Sequence, residues 1–581
     1  MGTISDKLMR IINTKEDIRQ ALISKGYDVP TSIPFKEYAK MILDLPCKVD
    51  SFPDIEGIVA RYSASGLTNE QMAANPVWVD KTGNGHDLQL KNFAWKGMSG
   101  VGGYVGDFSK WVNNRDTTEI GITKSNSKVI IDVKVSQGSG KNIVLISKSN
   151  LGISNNVTIK ITSTYPEGVM KFANSASNKY LKLPSNGIIT LQDNPEYTRN
   201  EMHLHLASAD LGQITIEQLP LYPGALVFDG VDDYGTCDNF PILTKEKGYT
   251  VVALRQWITR GEIAQGLVSN VKNWIKDGAF LLEYRNIQAD HLNKPISFGA
   301  IGSENDLPHI LTYQTSKSYN GVSITTGNFE GTDVLHVGKL APTNVGTCIN
   351  AAIWELVFLD HDATEEELTK IKDYFVKTYP WLFPYQAWTV TGKTNEDEDR
   401  TTIANITGNG NNLVLSNFGF IEGSGYNKEG EYAGYLVTDG VDDMIGSSIF
   451  EIGKDFTIIG EWKFMNNIIA NAGISKALSL FVYNTNNGLR IFINNTTKGP
   501  VLNTKTLKAI CSDGRVYSDD WSEMIVNEEQ PITSSKSSLL IGINGNNFAK
   551  IALKNLAIYN QILSKDDCIK AYNYLQTLKA K

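Results

Sequence analysis

The sequence has few of the features that mark several common protein classes. Only five cysteines occur in 581 residues, and their wide spacing and odd number match neither a disulfide framework nor a zinc site. The first 25 residues are charged and lack the apolar core and cleavage site of a signal peptide. No run approaches the ~18 apolar residues of a membrane span. The net charge is −8 without a basic stripe. We therefore expect a protein made in a reducing cytoplasm, without membrane insertion and without nucleic acid as a partner.

Sequence signatures of catalysis are also missing. Neither Gly83-Asn84-Gly85 nor Gly138-Ser139-Gly140 continues as a phosphate-binding loop, and no Gly-x-Ser-x-Gly nucleophile elbow is present. A glycan hydrolase would need two carboxylates across the scissile bond. The one dense acidic run, residues 396–399, has no interleaved apolar residues and is typical of a solvated loop. We predict that the protein is not an enzyme and has no catalytic cofactor.

An internal repeat is the strongest feature that is present. The string DGVDD occurs at 229–233 and again at 439–443, each time after an apolar pair that favours a strand entering a tight turn. Earlier segments recur in the same order 325 residues later: Thr82-Gly83-Asn84-Gly85 as Thr407-Gly408-Asn409-Gly410, Asn92-Phe93 as Asn417-Phe418, and Ser99-Gly100 as Ser424-Gly425. Because the DGVDD strings are only 210 residues apart, the first copy contains 115 additional residues. That length is sufficient for a small inserted domain.

These offsets divide the chain into four predicted parts. We expect a mainly β fold in which one sandwich domain occurs twice, at 57–112 with 222–380 and at 385–581. The inserted residues 113–221 contain short alternating runs separated by Gly, Asn and Ser, which predicts a small β-sandwich. Residues 1–50 are predicted to form a short helical segment for attachment or oligomerisation.

The amino-terminal segment carries two short apolar helical faces. Ile18 and Leu22 lie on the first, and Phe35, Tyr38 and Ile42 lie on the second. Two helices of this size bury too little surface to be stable alone. They should therefore dock on their own chain, on a sister subunit or on a larger assembly.

The repeated domain resembles a known fold. A strand leading into DGVDD, a late Leu-x-Val-Gly run at 335–338 with its counterpart at 540–542, and a closing helix with an acidic first turn are similar to concanavalin A-like or laminin-G-like jelly-roll sandwiches. The resemblance implies two such sandwiches, the first interrupted by the insertion. It also implies similarity to many carbohydrate-binding modules, although a fold alone does not fix a function.

A second resemblance concerns residues 13–42. This stretch resembles the attachment segment of fibre and other structural proteins of tailed bacteriophages that infect gut Bacteroidales, including the crAss-like group. The resemblance implies a head fibre or tail fibre component at the virion surface, anchored to capsid or tail proteins through its N-terminus. It further implies a homo-oligomer, a trimer or a dimer, whose lectin-like domains contact host or mucus glycans. One alternative is a glycan-depolymerising virion enzyme. The other is a bacterial carbohydrate-binding module, and the missing secretion signal disfavours this second alternative.

Two groups of residues are candidate metal ligands. Asp232 with Asp233, and Asp442 with Asp443, offer oxygens to calcium, whereas the alternative is that they only make the turn after the strand. His203 and His205 share one face of a predicted strand. In an oligomer they would meet around a metal ion on the symmetry axis. The alternative is that they belong to an ordinary half-exposed strand. Tryptophans form the usual platform for sugar rings, and the candidates are Trp78, Trp95, Trp111, Trp274 and Trp388.

Overall fold

The computed structural model describes most of the chain beyond residue 51. The described residues are 15, 18, 19, 52–113, 120–135, 143–147, 157–165, 170–174, 180–182, 186–191, 202–206, 211–259, 265–270, 280–282, 296–297, 310–323, 332–339, 348–465, 473–476, 480–485, 488–493, 506–525, 535–541, 543–544 and 547–580.

Sandwich 1 consists of an eight-stranded and a seven-stranded sheet. At the centre of the larger sheet lies Asn350–Leu359, an almost continuous apolar run, as expected for a strand that is buried on both faces. In sheet order the larger sheet contains Val322–Ser323, Ser318–Tyr319, Leu311–Thr315, Thr250–Thr259, Asn350–Leu359, Leu226–Asp229 and Gly100–Val101, with Ile58–Ser63 also paired to the central strand. The smaller sheet contains Val77–Trp78, Leu88–Lys91, Tyr234–Cys237, Leu335–Val337, Val268–Ser269, Phe280–Leu282 and Ile296–Ser297.

Sandwich 2 repeats this plan with sheets of the same sizes. The larger sheet contains Gly425–Tyr426, Leu436–Val437, Ile551–Tyr559, Thr457–Phe464, Thr506–Cys511, Arg515–Ser518 and Glu523–Ile525, with Gln386–Thr389 also paired to Ile551–Tyr559. The smaller sheet contains Thr402–Ile403, Leu413–Ser416, Met444–Ile452, Ser535–Ile541, Gly473–Lys476, Leu480–Thr485 and Gly488–Ile493. A separate two-stranded ribbon pairs Ile543–Asn544 with Asn547–Phe548.

The insertion forms two five-stranded antiparallel sheets. One contains Tyr180–Lys182, Met170–Asn174, Met202–Leu206, Ile143–Ser147 and Val112–Asn113. The other contains Asn186–Leu191, Val157–Ser163, Gly212–Gln218, Lys128–Val133 and Ile120–Lys124. In the second sheet, alternate residues such as Val129, Ile131 and Val133 are buried in one apolar cluster, as the alternating sequence predicts.

Three α-helices are described after residue 51: α1 (Asn69–Ala74), α2 (Glu365–Thr378) and α3 (Lys565–Leu575). The last two begin at N-cap hydroxyls, because Thr364 accepts from the Glu367 amide at 3.3 Å and Ser564 accepts from the Asp567 amide at 3.1 Å. Short 3-10 turns lie at Phe108–Lys110, Pro380–Leu382 and Gly430–Tyr432. None of the helices described is long and apolar enough to cross a membrane.

The mainly β prediction is confirmed, and each predicted sandwich region contains two sheets. The exact domain boundaries stay a prediction. In the amino-terminal segment Lys15, Ile18 and Arg19 are helical. Leu22, Phe35, Tyr38 and Ile42 lie outside the described residues, so the attachment role of this segment also stays a prediction.

Candidate functional site

The repeated motifs of the first copy meet in one hydrogen-bond network. Asp233 is buried, and its Oδ1 accepts from the Ser99 hydroxyl at 3.0 Å while its Oδ2 accepts from the Asp229 amide at 3.1 Å. The Asn92 side-chain amide donates to the carbonyl of Asp232 at 3.0 Å. The DGVDD turn follows a strand of the eight-stranded sheet and precedes a strand of the seven-stranded sheet. The network therefore fixes the point where the chain passes between the sheets.

The second copy reproduces the network atom by atom. Asp443 accepts from the Ser424 hydroxyl at 3.1 Å and from the Asp439 amide at 2.7 Å. Asn417 donates to the carbonyl of Asp442 at 3.0 Å. The letters that recur in the sequence are thus the residues that build this turn in both copies.

The predicted calcium ligands lie in these same turns. Carboxylate oxygens of Asp229, Asp232 and Asp233 lie within 4.8 Å of one another, as do those of the corresponding acids in the second copy. Burial raises the pKa of Asp233 to about 7, although hydrogen bonds from Ser99 and Asp229 oppose the rise. Both oxygens of Asp233 already accept protein hydrogen bonds, as the turn interpretation requires. Calcium takes six to eight oxygen ligands, and its binding here stays a prediction.

The other predicted site residues are dispersed. His203 and His205 occupy strand positions paired with Ala173 and Lys171, and their side chains lie outside the described part of the chain. Most tryptophan candidates are unavailable to a sugar, because Trp78, Trp111 and Trp388 are buried in the sandwich cores. Trp95 is half-buried and stacks on Phe93 at a centroid distance of 4.8 Å. Trp274 lies outside the described residues.

A cleft of about 690 Å³ lies between the two sandwiches. Sandwich 1 contributes residues from strand Leu311–Thr315, from Asn320 and from α2. Sandwich 2 contributes the repeated turn at Thr407 and Asn409. The described lining residues are Ile310, Leu311, Tyr313, Asn320, Lys372, Val376, Leu382, Phe383, Pro384, Tyr385, Thr407, Asn409, Asn560 and Gln561. Volumes of 300 to 1,000 Å³ are usual for small-ligand sites, which often lie between domains.

The lining of the cleft combines aromatic rings with neutral polar groups. Tyr313, Phe383 and Tyr385 are half-buried and contribute apolar surface. The Asn409 side-chain amide donates to the carbonyl of Tyr385 at 2.7 Å, which fixes the turn against the linker between the sandwiches. Asn320 accepts from the Tyr313 amide at 2.9 Å. The charged group among the described lining residues is Lys372, and that set includes no carboxylate.

The sequence contained only partial signals for this cleft. The apolar, proline-containing run at 379–384 predicts a stiff linker between the two copies, and Thr407 and Asn409 belong to the repeated Thr-Gly-Asn-Gly turn. The opposite wall comes from α2, which directly precedes the linker in the chain, and from residues 310–320, which nothing in the linear order places beside the linker. The sequence identified the pieces, and only the packing of the two sandwiches brings them together.

Comparison with known proteins gives matches among solved structures only. No protein-family model matches the sequence, and no curated protein matches it either. Among solved structures, a Trypanosoma rangeli sialidase in complex with sialic acid aligns with 79% of this chain and 85% of its own, at 10% identity and a TM-score of 0.24. Domain 4 of AbnA, a GH43 extracellular arabinanase from Geobacillus stearothermophilus in complex with arabinotriose, aligns over 32% and 98%, at 14% identity and a TM-score of 0.23. The binding domain of Paraclostridial Mosquitocidal Protein 1 aligns over 32% and 51%, at 14% identity and a TM-score of 0.22. TM-scores in this range do not establish a shared fold, so the fold described above rests on the sheets of this chain.

Proposed function

We propose that this protein is a non-enzymatic, fibre-like structural component of a virion and that it binds glycans in the cleft between its two sandwiches. The observation that carries the glycan part is the lining of the cleft, which joins half-buried aromatic rings to neutral amides and hydroxyls. Aromatic faces pack against the C–H surface of sugar rings, while amides exchange hydrogen bonds with sugar hydroxyls.

The electrostatics of the cleft favour binding over hydrolysis. Glycoside hydrolysis commonly uses an acid and a second carboxylate about 5 to 9.5 Å apart. The described lining residues supply neither, and Lys372 is their one charged group. A neutral glycan, or one with an acidic substituent near Lys372, fits this environment.

The virion part of the proposal rests on the resemblance of residues 13–42 to phage attachment segments. Anchoring through residues 1–50 to capsid or tail proteins would place many copies on one particle. Several weak sites that bind together give a high avidity. A single cleft of modest affinity would therefore suffice for adhesion to host-surface or mucus glycans.

The binding site is tested by substituting one aromatic residue on each wall. We expect Tyr385→Ala and Tyr313→Ala each to weaken glycan binding about tenfold, since central aromatic contacts often contribute more than 1 kcal/mol. Tyr234→Ala is the matched control, because Tyr234 is also half-buried but lies on the seven-stranded sheet of sandwich 1, outside the cleft. Binding is measured on a glycan array and then by calorimetry. A loss with Tyr234→Ala and none with Tyr385→Ala would place the site elsewhere.

The non-enzymatic part is tested with host capsular polysaccharide. The polysaccharide should keep its size in light scattering and gain no reducing ends during incubation with the protein. Shortening of the polysaccharide would instead support the depolymerase alternative. The same light-scattering experiment gives the oligomeric state of the full-length protein, and a variant lacking residues 1–50 tests whether this segment forms the oligomer.

A further inference from the structure

Two buried cysteines that are far apart in the sequence meet in sandwich 2. Cys511 ends strand Thr506–Cys511, and Cys568 lies in the first turn of α3. Both are fully buried free thiols. The Cys511 sulfur lies 3.8 Å from the Thr457 hydroxyl, which hydrogen-bonds the chain at Leu563, just before α3 begins. Cys511 and Cys568 are close enough for each to shift the pKa of the other. The sequence alone gives no sign of this pair, because its members lie 57 positions apart.

The local structure holds both thiols in place. Cys511 pairs with Thr457 in the antiparallel register, and the Thr457 hydroxyl donates to the carbonyl of Gln561 at 2.9 Å. The same hydroxyl accepts from the Leu563 amide at 2.9 Å, which fixes the entry to α3 against the strand. Cys568 then donates its amide to the carbonyl of Ser564 at 2.8 Å, inside the capped first turn.

The first copy shows that the pair is specific to sandwich 2. Thr250 corresponds to Thr457, because its hydroxyl makes the same two bonds, to the His361 carbonyl at 2.8 Å and from the Ala363 amide at 2.7 Å. Thr250 pairs with Thr315 in the strand register, just as Thr457 pairs with Cys511. Thr315 is therefore the counterpart of Cys511. The residue at the position of Cys568 in α2 is Leu368. Cysteine therefore occupies both contacting positions in one copy and neither in the other.

We propose that Cys511 and Cys568 are a redox-sensitive pair, which a peroxide converts into a disulfide that fastens α3 to the larger sheet of sandwich 2. The Cys511 thiolate attacks one peroxide oxygen, breaks the O–O bond and becomes a sulfenic acid, and hydroxide leaves. The Cys568 sulfur then displaces that oxygen, which leaves as water. For hydrogen peroxide, two thiols and one oxidant give one disulfide and two waters.

The surroundings assign different roles to the two sulfurs. The hydrogen bond from Cys568, together with the charge of Arg515, lowers the pKa of Cys511 despite its burial. The same hydrogen bond and burial raise the pKa of Cys568. Cys511 is therefore the attacking thiolate and Cys568 the resolving thiol. Hydrogen peroxide is small, so a transient local opening at the entry to α3 is sufficient to admit it.

The disulfide would act on the helix that joins the two sandwiches. Near the end of α3, the Tyr574 hydroxyl donates to the Gln256 side chain of sandwich 1 at 2.9 Å, and the Tyr574 ring lies edge-on to Trp354 at 6.1 Å. Closing the 511–568 loop covalently would restrict the unfolded chain and stabilise this helix. The inference does not depend on glycan binding, so the two proposals fail independently.

The test uses the full-length reduced protein. After treatment with hydrogen peroxide and blocking of free thiols in denaturant, non-reducing peptide mapping should give one dominant cross-link, Cys511 to Cys568. Cys237 and Cys348 serve as internal controls and should remain alkylated. The melting temperature should rise by several degrees and return to its starting value with dithiothreitol. A different pairing, or oxidation of Cys511 to sulfinic acid without a cross-link, would overturn the proposal.

A variant separates the two chemical steps. Cys568→Ser should stop the reaction at the sulfenic acid, so that dimedone labels Cys511 and no cross-link forms. Labelling of Cys237 or Cys348 in place of Cys511 would contradict the assigned roles. Because the peptide map is made on the unsubstituted protein, the proposal stays testable even if this variant folds poorly.

Discussion

At the scale of single residues, the DGVDD turn contains two adjacent acids in different environments, because Asp233 is buried and Asp232 is exposed. Asp233→Ala leaves the Ser99 hydroxyl and the Asp229 amide without their acceptor. We expect a loss of about 1 to 3 kcal/mol in the free energy of unfolding. Asp232→Ala is the matched control and should lie within about 0.5 kcal/mol of the unsubstituted protein. Both are measured by urea denaturation with and without calcium. A stabilisation by calcium that Asp232→Ala abolishes would establish the metal site.

The same turn predicts a dependence of stability on pH. Burial raises the pKa of Asp233 to about 7 from its ordinary value of 3.8, so between these values the folded state holds a proton that the unfolded chain releases. Its contribution to stability is therefore complete below about pH 4 and is lost as the pH rises through 7. Asp233→Asn removes this titration, and the stability difference between variant and unsubstituted protein should shrink from pH 5 to pH 8. A difference that stays constant would show that Asp233 does not titrate in this range.

A buried ion pair distinguishes the two copies. Arg61 Nε lies 3.2 Å from Glu355 Oε2, and the Tyr379 hydroxyl donates to the same carboxylate at 2.8 Å. The strand registers place Ala387 and Asn555 at the positions of Arg61 and Glu355 in sandwich 2. Sandwich 2 therefore has no such pair at this point in its larger sheet.

Substitutions that copy sandwich 2 into sandwich 1 test the role of this pair. Glu355→Asn alone should cost about 3 to 5 kcal/mol, because it leaves the Arg61 guanidinium buried without its carboxylate. Adding Arg61→Ala should recover part of that loss, with a coupling of about 0.5 to 3 kcal/mol between the two positions. Chemical denaturation of the single and double variants measures this coupling. Additive losses would mean that each residue acts through packing alone.

At the scale of elements, α2 depends on its first turn. Thr364 and Glu367 form a capping box, in which the Glu367 carboxylate also accepts from the Thr364 amide at 2.8 Å. Thr364→Ala should reduce stability by about 0.5 to 2 kcal/mol. Thr369→Ala, on the exposed side of the same helix, is the control, and alanine there should be neutral or slightly stabilising. The stability of both variants is measured by thermal unfolding. An equal loss of stability in the two variants would show that the effect of Thr364→Ala does not come from the loss of the cap.

The sequence predicted the strands and the internal repeat, but it did not predict which side chains from distant parts of the chain meet. Alternating strands and the DGVDD turn are local patterns, and within the described residues they appear where the sequence places them. The cleft and the Cys511–Cys568 contact were not predicted, because each joins residues from distant parts of the chain. The tryptophan candidates show the same limit: composition identifies a ring, but only packing decides whether that ring is buried, as Trp388 is, or half-exposed, as Trp95 is.

At the scale of the whole molecule, equivalent residues of the two copies have acquired different partners. Tyr374 of α2 accepts from Arg61 within its own sandwich at 2.8 Å. Its counterpart Tyr574 of α3 donates instead to Gln256 in the other sandwich. The repeated helix therefore completes a single domain in one copy and connects two domains in the other.

This difference predicts how the two sandwiches unfold. Tyr574→Ala removes a buried ring from the junction and should cost about 3 to 5 kcal/mol, so that a joint calorimetric transition separates into two. Tyr574→Phe loses only the hydrogen bond to Gln256 and should cost about 0.5 to 1.5 kcal/mol. Tyr374→Phe is the matched control, because it should weaken sandwich 1 without separating the transitions. If Tyr574→Ala leaves one sharp transition, contacts other than those of Tyr574 couple the two sandwiches.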